Sequence, residues 1–464
     1  MSEALVVETV EEPREPPAPA APDPDRRRRL PRLSSVVTRL AAANMALAAV
    51  TVLTAPLQAR VLGPAGRGEL AAILVPLGLA PQILSIGLGT YAFRAAALGV
   101  RVGTLIGTVG TMLVLLGVLG AAAGSLVAEF VGDGRAVVET WVILGFALLP
   151  VGLLNLFLAD IAGGLEHWGT VLAMRLVTPA VLLVGICGLF IVGELTVASA
   201  ALVAIIAGAL PAVFLIPGAR EYRPLRFDLA VAIEAIPFGL KAWAAGLGSL
   251  VNFRVDQLLM TRMVDSSDLG LYVIAVTAAG FLVTPLVMGL AGGTMPRFAT
   301  GSIELIARVM RTSLLAVLVT GVAIALAAPI FVPLIFGSEF AAAVPMIWVL
   351  LLAGLPLAGT QVLSTAMISH GQPIYSAWAE LLALMVTVPG LLLLLPHLAG
   401  LGAALVSLVA YSASLVVLTV VARRRLGTHL TDLFLIRAAD AVALVEMIRV
   451  RLPDQVLPNA WRRA

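Results

Sequence analysis

The densest chemistry in this chain is one short stretch, Asn252-Phe253-Arg254-Val255-Asp256-Gln257, set inside a long apolar run. Ionisable side chains in such a run are costly and normally face a protein interior or a wet cavity. On a helix, Arg254 and Gln257 share one face and Asn252 and Asp256 another, while Arg254 and Asp256 diverge by about 200°. The two charges are therefore not a self-neutralised pair. A forked guanidinium suits phosphate groups, and side-chain amides suit hydroxyls. Two readings stay open. Either Arg254 draws an anion into a cavity while Asp256 tunes it or locks one helix arrangement, or Asp256 closes a hydrogen-bond network between bundles and Arg254 snorkels to the surface.

Other polar side chains stand singly in apolar runs. Gln58, Gln82, Asn155 and Gln361 can line the same path or act as packing glue between helices. Lys241 and Arg39, near the inner mouth of that path, either meet an arriving anion or anchor the topology. Arg60 with Arg262, and Arg94 with Arg297, occupy matching ends of two halves, as gating pairs or as solvated interfacial arginines. Glu380 is a candidate for proton coupling or a buried acid with a partner. Nothing resembles a catalytic set or a metal-ligand cluster. A phosphate-binding loop needs Gly-Lys, and the only lysine, Lys241, follows Leu240. No cofactor is expected beyond a coupling cation, H+ or Na+.

These residues need elements to hold them. The 464 residues are 60% hydrophobic and 12% charged, with a mean hydropathy of +1.04. A soluble domain is closer to ~50% apolar and ~25% charged, so the solvent for most of this chain is lipid. A helix crossing the hydrocarbon needs ~20 apolar residues. Breaks at charge, Gly and Pro clusters predict spans at 36–58, 69–92, 103–128, 137–159, 170–192 and 196–217. A second set follows at 236–261, 270–295, 312–336, 341–368, 373–396 and 399–422. With the N-terminus inside, the inner loops hold most of the arginines and the outer loops dilute theirs with acids, as the positive-inside rule requires. Both termini are then cytoplasmic. No basic stretch interleaves with aromatics, which excludes a nucleic-acid partner. The expected organisation is a disordered basic tail (1–34), six spans (35–218), a cytoplasmic linker (219–235), six more spans (236–425) and an amphipathic tail helix on the inner surface (426–464). Removing that helix from Leu430 onward is expected to leave function mostly intact.

The halves also match in sequence. The junction after the first span, Ala59 to Leu70, aligns with that after the seventh, Thr261 to Tyr272, at a constant offset: Arg60 with Arg262, Gly68 with Gly270, and further on Gly87 with Gly289. An even number of spans per half makes the two parallel, related by an axis along the membrane normal. The cleft between them is the default path.

The same residues carry a resemblance. Ala59-Arg60-Val61-Leu62-Gly63-Pro64-Ala65-Gly66-Arg67-Gly68-Glu69-Leu70-Ala71 comes first, then Asp256 followed by Leu269-Gly270-Leu271-Tyr272 and Ala275. Phe336-Gly337-Ser338-Glu339-Phe340, Gly371-Gln372-Pro373 and Gly400-Leu401-Gly402-Ala403-Ala404 complete it, over residues 36 to 425. In order and spacing the chain resembles Wzx-type polysaccharide flippases of the multidrug/oligosaccharidyl-lipid/polysaccharide superfamily, which also contains MATE exporters. The resemblance implies two six-helix lobes around a cavity that opens alternately to each side. It also implies an undecaprenyl-pyrophosphate-linked oligosaccharide as cargo, a bacterial plasma-membrane location, and a polysaccharide polymerase or glycosyltransferase as partner beside the lipid. Together with the arginines, this leads to the expectation of a positively charged hollow. A MATE-like drug exporter is the main rival, and it needs membrane-embedded acids; chiefly Asp256 and Glu380 are in view within the spans. A membrane enzyme needs a sizeable outer loop, and none exceeds about ten residues. A non-transporting scaffold is the third alternative.

Overall fold

The computed structural model describes residues 33–215, 222–252, 254–280, 298 and 303–442. Among the described residues there are helices and no strands, the outcome a lipid solvent imposes, because backbone groups in hydrocarbon must be paired within the segment. The first half contains α1 (Leu33–Leu84), α2 (Leu88–Ala97), α3 (Val102–Gly132), α4 (Ala136–Ala147), α5 (Leu149–Gly164), α6 (Trp168–Val192) and α7 (Val197–Ala209). The second contains α8 (Leu229–Asn252), α9 (Val255–Met263), α10 (Ser266–Gly280), α11 (Ile303–Phe336), α12 (Val344–Ser369), α13 (Pro373–Leu426) and α14 (Leu430–Phe434). Residues from Ala43 onward form one compact unit.

Among the described residues, six helices are long and apolar enough to cross a membrane, or seven when α4 and α5, bent by 48°, count as one span. Two of the six are double. The 52 residues of α1 would reach about 78 Å if straight, more than twice the ~30 Å hydrocarbon thickness. Gly63 breaks it with φ 64° and ψ −178°, a conformation open to glycine because no Cβ meets the backbone. Ala399 breaks α13 in the same way, at φ 44°. Each of the twelve segments expected from hydropathy overlaps a described helix, although residues 281–295 of the eighth lie outside the described residues. The chain is a multi-pass, all-α membrane protein.

The seventh span differs from expectation. It is two helices, α8 and α9, parted at the polar stretch. A helix that restarts exposes first-turn amides, and Asp256 sits in the first turn of α9, where its Oδ1 accepts from the Gln257 amide at 2.7 Å. Much of the polarity in this span belongs to the break itself.

The buried core is richest in alanine, small enough to let helices approach closely. One buried cluster runs through both halves, from Ala55 to Val406. A second, around Met310, Val362, Ala366 and Leu418, lies at the end of the second half where α14 docks. The tail there departs from the expected amphipathic surface helix. α14 is five residues long, residues 435–437 are non-helical, and Leu433 is fully buried in the second cluster. Arg311 of α11 reaches this segment: its Nε donates to Asp440 Oδ2 at 2.7 Å, its Nη2 to Asp440 Oδ1 at 3.2 Å, and its Nη1 to the Asp432 carbonyl. Asp440 is 1% exposed. Burial opposes its ionisation, but the hydrogen bonds and charge of Arg311 outweigh that and hold its carboxyl below the usual range. The expected 1–34 tail, the stretch beyond 442, and Arg297 lie outside the described residues, apart from the first turns of α1.

Candidate functional site

Two adjoining cavities lie between the helices. The larger, of about 700 Å³, is walled by α1, α4, α5, α6 and α7 and includes Gln82, Asn155, Asp160, Arg175 and Thr178. The smaller, of about 250 Å³, adds Ser85, Thr90 and, from α8 in the second half, Ala242, Trp243 and Gly246. Gln82, Leu156 and Asp160 belong to both, so the hollow runs from within the first half to the face of the second.

Four of its polar side chains each give one hydrogen to a backbone carbonyl: Gln82 Nε2 to Gly78 at 3.3 Å, Ser85 Oγ to Gln82 at 3.0 Å, Asn155 Nδ2 to Gly208 at 2.7 Å, and Thr178 Oγ1 to Ala207 at 3.1 Å. The partner of Asn155 is a carbonyl, so its amide must present nitrogen there and oxygen elsewhere. That oxygen, Asn155 Oδ1, is buried without a partner. Among the described residues no group donates to the Asp160 carboxylate; Arg175 acts on it through its charge. The first turn of α2 makes room for this carboxylate at Gly89, where a Cβ would overlap Asp160 Oδ2. Trp243 Nε1 is a buried donor, also unpartnered.

Of the residues singled out from sequence, Gln82 and Asn155 line this hollow. Asp256 and Gln257 are buried, 8% and 3% exposed, and do not line it. Asp256 Oδ2 accepts from the Tyr272 hydroxyl. Arg254 precedes α9 as an exposed side chain whose Nη1 donates to Gln257 Oε1 at 3.1 Å. Asn252 ends α8. Gln58 accepts from Arg67 Nη1 instead of facing the hollow. Gln361 and Glu380 are half-buried on α12 and α13, away from it. Lys241 is exposed on α8, next to two residues that line the smaller cavity. Arg39 lies in the first turns of α1. The expectation of a positively charged hollow is corrected: the described lining holds one carboxylate and one guanidinium.

Asp160 is the residue that sequence reasoning missed. Hydropathy ends the fourth span at residue 159 because Gly163-Gly164 follows, whereas α5 continues to Gly164. An acid inside an apolar helix is itself the signal that finds it.

Contacts between the halves bracket the hollow. At the predicted outer end, Arg60 Nε donates to the Ile335 carbonyl at 3.0 Å and its Nη2 to that of Leu334, so a cation caps the C-terminal carbonyls of α11. Arg135 Nη2 donates to the Thr261 carbonyl at 2.9 Å and its Nη1 to Ser266 Oγ, while Arg262 pairs with Asp133. Between these ties the chains meet without side chains. A Cβ on Gly68 would overlap the Ser266 carbonyl, and a Cβ on Gly270 would overlap the Pro64 carbonyl. The offset that aligns Gly68 with Gly270 also aligns Pro64 with Ser266, so this is one contact made twice about the axis relating the halves. At the predicted inner end, Arg94 lies 5.1 Å from the Phe238 ring centroid and the Tyr91 hydroxyl donates to Glu234 Oε2 at 3.3 Å. There the backbone at Gly87 meets that at Gly239. Arg60, Arg262 and Arg94 therefore all bridge the halves, though each to a different partner and not to its repeat mate.

Solved transporters share this arrangement. A lipid II flippase, MurJ in an inward closed conformation, superposes with a TM-score of 0.69 at 12% identity, covering 89% of this chain and 93% of that one. An inward-facing MATE family multidrug transporter gives 0.67 at 13% identity, covering 84% and 98%. The MATE multidrug transporter DinF-BH gives 0.57 at 16% identity, covering 88% and 98%. At these identities the likeness defines the fold, that of the multidrug/oligosaccharidyl-lipid/polysaccharide transporters. The family described as polysaccharide biosynthesis protein matches residues 36–302, more than half of the chain, and this protein belongs to that family. No curated protein matches by sequence. The resemblance to polysaccharide flippases thus holds at the level of family and fold.

Proposed function

We propose that this protein moves a lipid-linked oligosaccharide, of the undecaprenyl-pyrophosphate kind, from the inner to the outer leaflet of a bacterial plasma membrane by alternating access. The observation that carries the reading is the hollow that runs from within the first half to the face of the second, lined in part by Gln82, Asn155, Asp160 and Arg175, beside contacts that join the halves at both predicted ends. A flippase makes and breaks no bonds. It has to lower the cost of taking sugar hydroxyls and a pyrophosphate through hydrocarbon, while the polyprenyl tail stays in the bilayer. Arg254, exposed and hydrogen-bonded to Gln257, is the group suited to the pyrophosphate. A coupling cation and neighbouring polymerase or glycosyltransferase enzymes belong to the same proposal.

Deletion of the gene is expected to leave a lipid-linked glycan accumulating on the cytoplasmic side. An unchanged pool of such lipids would refute the reading. Alternating access has its own test, made cleaner because Cys187 is the only native cysteine. In a Cys187→Ser background, Gly68→Ala should crowd the Ser266 carbonyl and hold the predicted outer end apart. A cysteine at Gln82 should then label several-fold faster with an impermeant reagent added outside. Unaltered labelling would show that the outer closure lies elsewhere.

Asp160 favours one rival, a MATE-like exporter of cationic small molecules, since a carboxylate faces the hollow. Raised drug sensitivity in the deletion strain with a normal lipid-linked pool would select that reading.

A further inference from the structure

The predicted inner tie between the halves is made at a break in the backbone. Ser85 to Gly87 interrupts the helical run from α1 into α2, with Ile86 at φ 40° and Gly87 at φ 72°. We infer that this break is a sprung hinge: closing the inner end forces Ile86 into the left-handed region, and opening that end lets it relax, so the chain itself is biased toward taking cargo from the cytoplasm; this rests on the alternating access proposed above and on nothing about the cargo.

Glycine adopts a positive φ freely because it has no Cβ, but a β-branched residue there is an outlier. Holding one costs on the order of ten-fold in population. Among the described residues, the other non-glycine residues with positive φ are Asp133, Glu166 and Ala399. Those three are unbranched and stand at span ends, whereas Ile86 is branched and lies inside the second predicted span. Strain of this kind persists only where the surroundings over-determine it. Here the surroundings are the second half. A Cβ on Gly87 would overlap the Gly239 carbonyl of α8, and one on Gly239 would come within 2.8 Å of the Ile86 carbonyl oxygen. One and two turns further along α2, the Tyr91–Glu234 hydrogen bond and Arg94 over the Phe238 ring fasten the same two elements. Alternating access has to break these contacts between halves, and breaking them removes the surface that Ile86 is held against. Ser85 and Gly87 also line the smaller cavity, which gives a molecule in the hollow a direct hold on closure. The Ile86 side chain is half-buried against the core, so packing is the rival explanation.

Thiol labelling reads the hinge with no cargo present. In the full-length protein carrying Cys187→Ser, the reporter Leu156→Cys stands on α5 where both cavities meet. An impermeant reagent is added to inverted vesicles, whose cytoplasmic face is outward. Ile86→Gly and Ile86→Asn are both at ease with positive φ. Each should favour the closed inner end and slow labelling several-fold, up to ~10-fold. Ile86→Val keeps the branch and should label like the parent. Ile86→Ala loses the packing but keeps a Cβ, and should slow labelling less than Ile86→Gly. Gly87→Ala, which crowds the Gly239 carbonyl, should speed it. Equal slowing by Ile86→Ala and Ile86→Gly would make the effect one of packing and overturn the inference. No slowing by Ile86→Gly or Ile86→Asn would mean that Ile86 is equally strained whichever end is open, and would overturn it too. Both outcomes leave the flippase reading intact, since that reading stands on the lipid-linked pool. A parent that labels from neither face of the membrane would remove alternating access, and the hinge with it.

Discussion

Asp160 and Asp256 are both acids set within apolar helices, and their surroundings differ in every respect that matters for function. Asp256 lies where a span is broken, accepts from the Tyr272 hydroxyl and from a first-turn amide, and is shut away from the hollow. Asp160 lies in α5, past its bend from α4, receives no described hydrogen bond, feels the charge of Arg175 and lines the hollow. A crowded polar stretch marks a network that satisfies itself; a lone acid in apolar surroundings marks an interaction left for something else. Asp440 completes the scale from the other end, since Arg311 meets both of its oxygens.

Substitutions along this scale should lose stability in step with how fully each carboxylate is partnered. Arg311→Ala strips a buried carboxylate of the cation that meets both its oxygens and should cost about 3–5 kcal/mol, read as a lower melting temperature and as protease access to the chain after Leu426. The same contact should fail in acid. The folded Asp440 carboxyl lies below its ordinary value, so its contribution is complete above about pH 4, the unfolded value, and disappears as pH falls through the folded one. Tail release that ignores pH down to that range would place the docking energy in Leu433 instead. Asp256→Ala removes the acceptor of the buried Tyr272 hydroxyl and should cost about 1–3 kcal/mol, while export by the folded fraction persists. Asp160→Asn should change stability least, or raise it slightly, because a carboxylate without donors is a burden to the fold. Export should nevertheless fall at least tenfold in a complementation assay. If Asp160→Asn destabilised more than Asp256→Ala, the contrast between the two acids would collapse.

The fold is largely legible in the sequence because hydropathy and loop charge act over whole spans, and an error of a few residues at a helix end does not change a count. The site is less legible because it depends on those ends. Ending the fourth span at residue 159 excludes Asp160 by one position. Drawing the seventh as continuous turns the Arg254–Gln257 stretch into a cavity wall when part of it serves a helix restart. Gln82 and Asn155 are visible because isolated amides in apolar runs need no boundary to be noticed. The tail escapes sequence reasoning for another reason. Arg311 and Asp440 are far apart in the chain, and only packing shows that a charge expected to demand a water surface has a buried mate.

The reciprocal glycine contact has a consequence for how this chain can drift. Each glycine faces a backbone oxygen, an atom present whatever residue occupies position 64 or 266. The duplicated halves are a natural experiment on that point: one carries Pro64 and the other Ser266, yet positions 68 and 270 are glycine in both. Variation is cheap at the residue offering the oxygen and barred at the residue receiving it.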